Sequence, residues 1–307
     1  MKSDLFKWGI LLGLGLIWGS SFILMKRGLE HFTFMEVGCL RLAFAFIFLL
    51  PFIITKAWKL PKKTIIISTL SGILGNGLPA ILFTKAETGI DSSLAGILNS
   101  LTPLFTLIIG VLLFSTKTRK WNIVGLVLGF IGAIMLLNNG INGQKNISYS
   151  IYVIVATICY AFNINIIKKY LNETKPILIS GLSFLLIGPI SIIYLLQSSF
   201  IEKIDFSYEF NIAFGSIALL GIVGSAISII IYNKLIQKST AIFASSVTYI
   251  IPIFAMFWGI FDGETLNVID VLWISVIIIG IYFVNLNENR IKKLWINKLI
   301  GNNRKQI

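Results

Sequence analysis

The sequence predicts an all-α integral membrane protein of ten transmembrane helices, arranged as two inverted five-helix repeats. Three observations carry that expectation: an apolar composition, ten runs of spanning length, and an internal repeat with an odd number of helices per half. Of the 307 residues, 56% are hydrophobic and only 13% are charged, against roughly 25% charged in an ordinary soluble domain. A soluble core of this size needs a polar shell, and too little polar material is present to build one. The surplus apolar surface has to meet lipid.

The net charge of +13 would suit nucleic acid if the basic residues formed one stripe on a soluble fold. They fall instead in short clusters between apolar runs, the distribution of topology signals in a membrane protein. The expected partners are therefore the lipid bilayer and a small-molecule substrate, with no nucleic acid. Cys39 and Cys159 lie inside apolar segments without CxxC or Cys/His spacing, so neither a disulfide framework nor a metal site is expected, and no motif asks for a cofactor. The stretch from Met1 to Met25 lacks a small-x-small cleavage site before Lys26 and Arg27, and reads as an uncleaved first helix.

Crossing about 30 Å of hydrocarbon takes about 20 helical residues. Uncharged runs of that order cover Trp8–Met25, Thr64–Thr84, Ser92–Thr116, Trp121–Gln144, Asn146–Ile167, Pro176–Ile201, Phe210–Asn233, Ser239–Phe261 and Val271–Asn287. A tenth, Phe34–Thr55, is interrupted only by Glu36 and Arg41. With the N-terminus inside, 20 of the 26 basic residues fall on the cytoplasmic side, including the tail from Arg290 to Lys305. The positive-inside rule then places both termini in the cytoplasm, and Trp8, Trp58, Trp121 and Trp295 gather at that same face.

The chain also repeats. A shift of 149 residues sets Lys85 on Lys234, Ala95 on Ala244, Pro103 on Pro252, Phe105 on Phe254 and Gly110 on Gly259, and a slip back of one residue then brings Gly132 onto Gly280. At the front of each half, a shift of 142 sets Trp18 on Tyr160 and Lys26-Arg27 on Lys168-Lys169. The expected units are residues 1–143 and 144–289, followed by a basic tail over 290–307. Five helices per unit is odd, so the second copy enters the membrane from the opposite side; such inverted halves support alternating access.

The order of these features resembles a known family. The stretch "LIWGSSFILMKRGLE", the Arg41-Leu42-Ala43 of "RLAFAF", the fourth helix "SSLAGILNSLTPLFTLIIGVLLF" and its second-half counterpart, running to Gly263-Glu264, are similar to drug/metabolite transporters of the EamA-like type. The likeness covers about residues 5 to 287, with Ser115 standing where the repeat would place a second acidic residue. The resemblance implies a ten-helix exporter or exchanger of amino acids, other small metabolites or toxic compounds.

Candidate site residues follow from depth. Counting the helical rise of 1.5 Å per residue puts Trp18, Asn76, Tyr160 and Tyr249 near the midplane, with Asn99 and Ser100 nearer the outside. They come from both halves, as a substrate site at the repeat interface requires; packing between helices is the alternative use of such side chains. Asn163 and Asn165, two apart, cannot share a helix face. Arg41 lies roughly 10 Å in, where a charge needs water, a carboxylate or helix carbonyls; it either snorkels outward or pairs with Glu36, or else serves as a substrate carboxylate partner or a gate residue. Pro79, Pro103 and Pro252 interrupt helices at depth, for gating or for packing. The Gly-x3-Gly pairs at Gly9/Gly13, Gly15/Gly19 and Gly125/Gly129 allow close contacts within one bundle, so a monomer is expected, with a dimer as the alternative.

An enzyme would need a nucleophile with its base, or tightly spaced metal ligands. With one histidine, His31, and no acidic pair inside a span, an enzyme is not expected. Loops this short leave no extracellular domain for a receptor. Because Glu36, Glu87 and Asp91 count out near the outer surface, uniport or exchange is favoured over proton antiport, with proton-coupled efflux of toxic compounds as the alternative. The basic asymmetry makes a direct prediction: a reporter active only in the cytoplasm, fused to the C-terminus, will be active, and a well-expressed but silent fusion contradicts the topology.

Overall fold

The computed structural model describes residues 2–90, 92–138, 147–261 and 268–284. Every regular element among them is helical. The boundary expected near Gly143, the Gly263-Glu264 pair and the basic tail lie outside the described residues.

In the first half run α1 (Lys2–Gly19), α2 (Ser21–Leu29), α3 (Phe34–Ile53), α4 (Lys62–Gly72), α5 (Leu78–Glu87), α6 (Ser92–Asn99), α7 (Thr102–Phe114) and α8 (Lys120–Asn138). In the second run α9 (Ser150–Tyr170), α10 (Pro176–Gln197), α11 (Tyr208–Leu219), α12 (Ser228–Lys238), α13 (Ala241–Ser245), α14 (Val247–Phe261) and α15 (Val268–Val284). Several of these join end to end. Six continuous helices are long and apolar enough to cross a membrane: Leu5–Leu29, Phe34–Ile53, Lys62–Glu87, Ser150–Tyr170, Pro176–Gln197 and Tyr208–Lys238. Four shorter apolar helices, Thr102–Phe114, Lys120–Gly132, Ala241–Phe254 and Val271–Val284, accompany them.

Local chemistry sets several boundaries. Thr33 caps α3: its hydroxyl accepts from the Glu36 N–H, and the Glu36 carboxylate accepts from the Thr33 N–H, satisfying two otherwise orphaned donors. The run from Ser92 breaks at Ser100–Leu101, and Pro103 opens α7 within its first turn, where a missing N–H costs nothing. Two helices change pitch instead of breaking. Between α4 and α5 the backbone is π-helical over Ile73–Gly77, and between α11 and α12 it is π-helical over Leu220–Ile227. The shift of 149 that aligns Pro103 with Pro252 also sets Gly75 on Gly224 and Asn76 on Ser225. Both widened stretches therefore fall at matching places in the two halves.

The outer faces are apolar and exposed, as at Ile66, Leu112 and Leu196, which is the surface lipid requires. Inside, α3 packs along α10 and α8 along α15. The second pair is held at backbone distance. A β-carbon on Gly280 would lie 2.6 Å from the Gly129 nitrogen and 2.8 Å from the Gly125 oxygen, and Asn122 Nδ2 donates to the Val284 carbonyl at 2.7 Å. The Gly125/Gly129 pair thus serves a contact within the bundle.

Because the neighbours of Gly280 are backbone, they cannot move aside one at a time. Overpacking a tight contact costs about 1–3 kcal/mol, occasionally more. Gly280→Val is expected to lower the melting temperature in detergent by several degrees or prevent folding, while Gly13→Ala, with nothing within 4 Å of its new methyl, leaves it unchanged.

Candidate substrate cavity

Between the two halves lies a cavity of about 90 Å³. Its polar wall comes from both: Arg41, Asn76 and Asn99 from the first, Asn163, Ser225 and Asn233 from the second. Trp18, Phe83, Tyr160 and Tyr232 supply its aromatic wall.

Each π-helical stretch meets the opposite half. On one side the Trp18 indole Nε1 donates to the Gly224 carbonyl at 3.0 Å and to Ser228 Oγ at 3.1 Å, while its ring stands edge-on to Tyr232 at 4.9 Å. On the other side Asn163 packs so closely on Gly75 that a β-carbon there would meet its amide nitrogen at 2.1 Å, and Asn163 Oδ1 accepts from Ser71 Oγ. Widened helical turns leave carbonyls in need of donors, and at Gly224 the facing half provides one. Pro79 begins α5 directly after the first of these stretches and is buried.

Arg41 is held by its Nε, which donates to Ser225 Oγ at 2.7 Å, and by a terminal nitrogen 4.0 Å from Met25 Sδ. No other hydrogen bond of its guanidinium to a described residue exists, and the group lines the cavity. Glu36 does not pair with it: that carboxylate takes Lys203 Nζ at 2.6 Å instead. The pairing of Arg41 with Glu36 that the sequence allowed is therefore not formed. Asn76 is buried on the cavity wall and makes no side-chain hydrogen bond to a described residue. Asn99 Oδ1 accepts from Thr102 Oγ1 at 3.2 Å, and Tyr160 stacks on Phe83 at 6.0 Å.

Five of the six expected contact residues, Trp18, Arg41, Asn76, Asn99 and Tyr160, thus surround one space. Tyr249 does not join them. It is wholly buried, its ring lies against Gly129, and its hydroxyl donates to the Leu126 carbonyl at 3.1 Å. Depth along a helix fixes height and leaves azimuth open; at about 100° per residue the neighbouring Thr248 and Ile251 face the cavity and Tyr249 faces α8. Pro252 lies inside α14 and frees the Thr248 carbonyl four residues earlier. That carbonyl accepts from Ser100 Oγ at 3.2 Å, so the kink joins the two halves.

Sequence reasoning missed Ser225, Tyr232 and Asn233 and left Asn163 unassigned. The rule that Asn163 and Asn165 face apart does hold, since Asn165 Nδ2 turns to the Thr106 and Ala161 carbonyls at 3.0 and 2.9 Å. The Gly75-Asn76 and Gly224-Ser225 pairs, equivalent under the repeat, were the signal that would have found Ser225.

A multi-pass helical membrane protein with a polar cavity enclosed by its helices belongs to the class of solute carriers. The EamA-like transporter family model matches residues 7–138 and 147–286, and the chain belongs to that family. It is 29% identical over 286 residues to the "Uncharacterized inner membrane transporter YedA" of Escherichia coli K12, covering 91% of this chain and 90% of that one. It is 23% identical to the "Probable amino-acid metabolite efflux pump" of Salmonella typhimurium, covering 90% of this chain and 93% of that one. A crystal structure of a chain 12% identical superposes with a TM-score of 0.71, covering 92% of this chain and 97% of that one, a likeness of fold.

Proposed function

We propose that the protein is a secondary transporter that exports or exchanges small zwitterionic metabolites, amino acids above all, by alternating access, and that it is not an enzyme. The observation that carries this reading is Arg41: one guanidinium, anchored by Ser225 at 2.7 Å, in a wall otherwise made of amides, hydroxyls, aromatic rings and aliphatic side chains such as Leu42, Ile164 and Ile251. Such a wall suits a solute with one carboxylate and an apolar part. A volume of about 90 Å³ is far below the roughly 300–1,000 Å³ of sites for drug-sized ligands, which favours a metabolite over a bulky toxic compound. The relative named as an amino-acid metabolite efflux pump points the same way.

Alternating access draws support from the architecture. In this reading the four shorter apolar helices cross the membrane with the six long ones, giving ten spans in two inverted sets of five under the repeat register. Helices equivalent under that register pack on each other, α3 on α10 and α8 on α15. The paired π-helical stretches are where non-regular backbone is tolerated at membrane depth, because they border a cavity. In this reading the protein works as a monomer in a bacterial cytoplasmic membrane with both termini inside. Trp18, Arg41, Asn76, Asn99 and Tyr160 contact the substrate, and Pro79 and Pro103 sit where the helices change course.

A guanidinium offers a planar fork that a carboxylate matches with two hydrogen bonds, which an ammonium cannot reproduce. Hydrogen bonds to charged groups contribute about 1.5–3 kcal/mol, so Arg41→Lys will slow counterflow of a carboxylate-bearing amino acid in proteoliposomes about tenfold or more at equal protein incorporation. An amino-acid amide will lose much less. Equal losses for both make Arg41 structural and remove the carboxylate reading.

A further inference from the structure

Glu87 is the last residue of α5. Both of its carboxylate oxygens are buried, and neither has a hydrogen-bond partner among the described residues. No described residue forms an ion pair with it; the charged groups that act on it at longer range are Arg41 of α3 and Lys26 of α2. Lys85, on its own helix, is turned to the rings of Phe34 and Tyr149, 4.4 and 5.6 Å from their centres. From α9, Tyr152 and Tyr160 pack into the same cluster as Phe83 and Ala86 of this helix, and the residues of α6 include no titratable side chain. Four residues before Glu87, on the same helical face, Phe83 lines the cavity. A carboxyl group so placed is out of water without a donor, a costly position unless it carries a proton or meets a cation.

We propose that Glu87 is the site where a proton and the ammonium group of the substrate compete, so that transport exchanges one for the other. The inference rests on the transport reading above and deepens it. Arg41 and Glu87 lie within each other's electrostatic reach but not in contact. An α-amino acid carries a carboxylate and an ammonium on one carbon, and so offers a partner to each. Its carboxylate goes to Arg41, and its ammonium approaches Glu87. As it binds, the O–H bond of the Glu87 carboxyl breaks, the proton leaves to water, and the carboxylate pairs with the ammonium. One zwitterion enters and one proton departs, so the net charge of the site falls by one on binding, from that of Arg41 alone to zero. With the substrate gone the carboxylate takes up a proton again, since the empty site gives it no other cation in contact. Such competition makes an outward-directed carrier a proton antiporter, against the uniport or exchange favoured on sequence grounds.

The test is equilibrium binding of the amino acid that the counterflow panel selects, measured from pH 5 to 9 on the purified full chain. Linkage predicts that wild-type affinity falls with acidity, by up to about tenfold per pH unit where Glu87 is protonated, and that Glu87→Asp keeps this slope. Glu87→Gln will bind more weakly, with an affinity that no longer changes with pH. Because Glu87→Gln could fail to fold, proton release by wild type is measured in parallel with an indicator in weak buffer: about one proton per substrate bound is expected. Wild-type affinity that is flat or rises with acidity, a slope retained in Glu87→Gln, or binding without proton release each overturns the proposal while leaving the transport reading standing. Binding of no amino acid by wild type overturns both.

Discussion

Inside a bilayer every backbone N–H and C=O must find a partner within the protein, since hydrocarbon offers none. That constraint explains where this chain is regular and where it is not. Most of the described backbone is uninterrupted α-helix with apolar outer faces. The departures, π-helical turns at Ile73–Gly77 and Leu220–Ile227 and the break at Ser100–Leu101, all border the central space. Loosened carbonyls are met from the opposite half: Gly224, in the second π-helical turn, by Trp18, and Thr248, freed by Pro252, by Ser100. Polar side chains there hold the halves together and line the cavity with the same atoms. Movement of one half against the other would have to exchange these bonds in a concerted way, which is how a packed interface comes to have two discrete arrangements.

Charge obeys the same economy. Three of the ionisable groups on the first-half helices, Glu36, Arg41 and Glu87, are each treated differently. Glu36, at the start of α3, is fully committed to Lys203 and the Thr33 cap, and so fixes the α2–α3 turn to the segment after α10. Arg41, less than two turns further on, is only partly committed, to Ser225 and the Met25 sulfur. Glu87 has no hydrogen-bond partner among the described residues. Stability accounts for the first; the other two are expensive to leave open, and solute and proton are the partners that would complete them.

The membrane class, the helical spans and the family were legible in the sequence because they rest on sums over many residues: composition, run length and the order of doubled motifs. Individual sites were legible only as far as depth determines them. Trp18, Arg41, Asn76, Asn99 and Tyr160 were found by height and chemistry, but the same reasoning admitted Tyr249, which points at Gly129, because rise per residue says nothing of azimuth. Glu87 was set aside as a surface residue for a related reason. Counting put it at the end of a run, and only packing reveals that a carboxyl at the end of a helix is covered by its neighbours. The π-helical stretches lie beyond periodicity altogether, although their glycines, Gly75 and Gly224, stood at matching positions in the repeat.

The central claim is that one cavity, built from both halves, opens alternately to the two sides of the membrane. Its most direct test places a single cysteine at Asn76, with Cys39 and Cys159 replaced by alanine, and applies a membrane-impermeant thiol reagent to right-side-out and to inside-out vesicles. Alternating access predicts modification from both faces, slowed in each case by the transported amino acid. Modification from one face only, whatever solute is present, would contradict it.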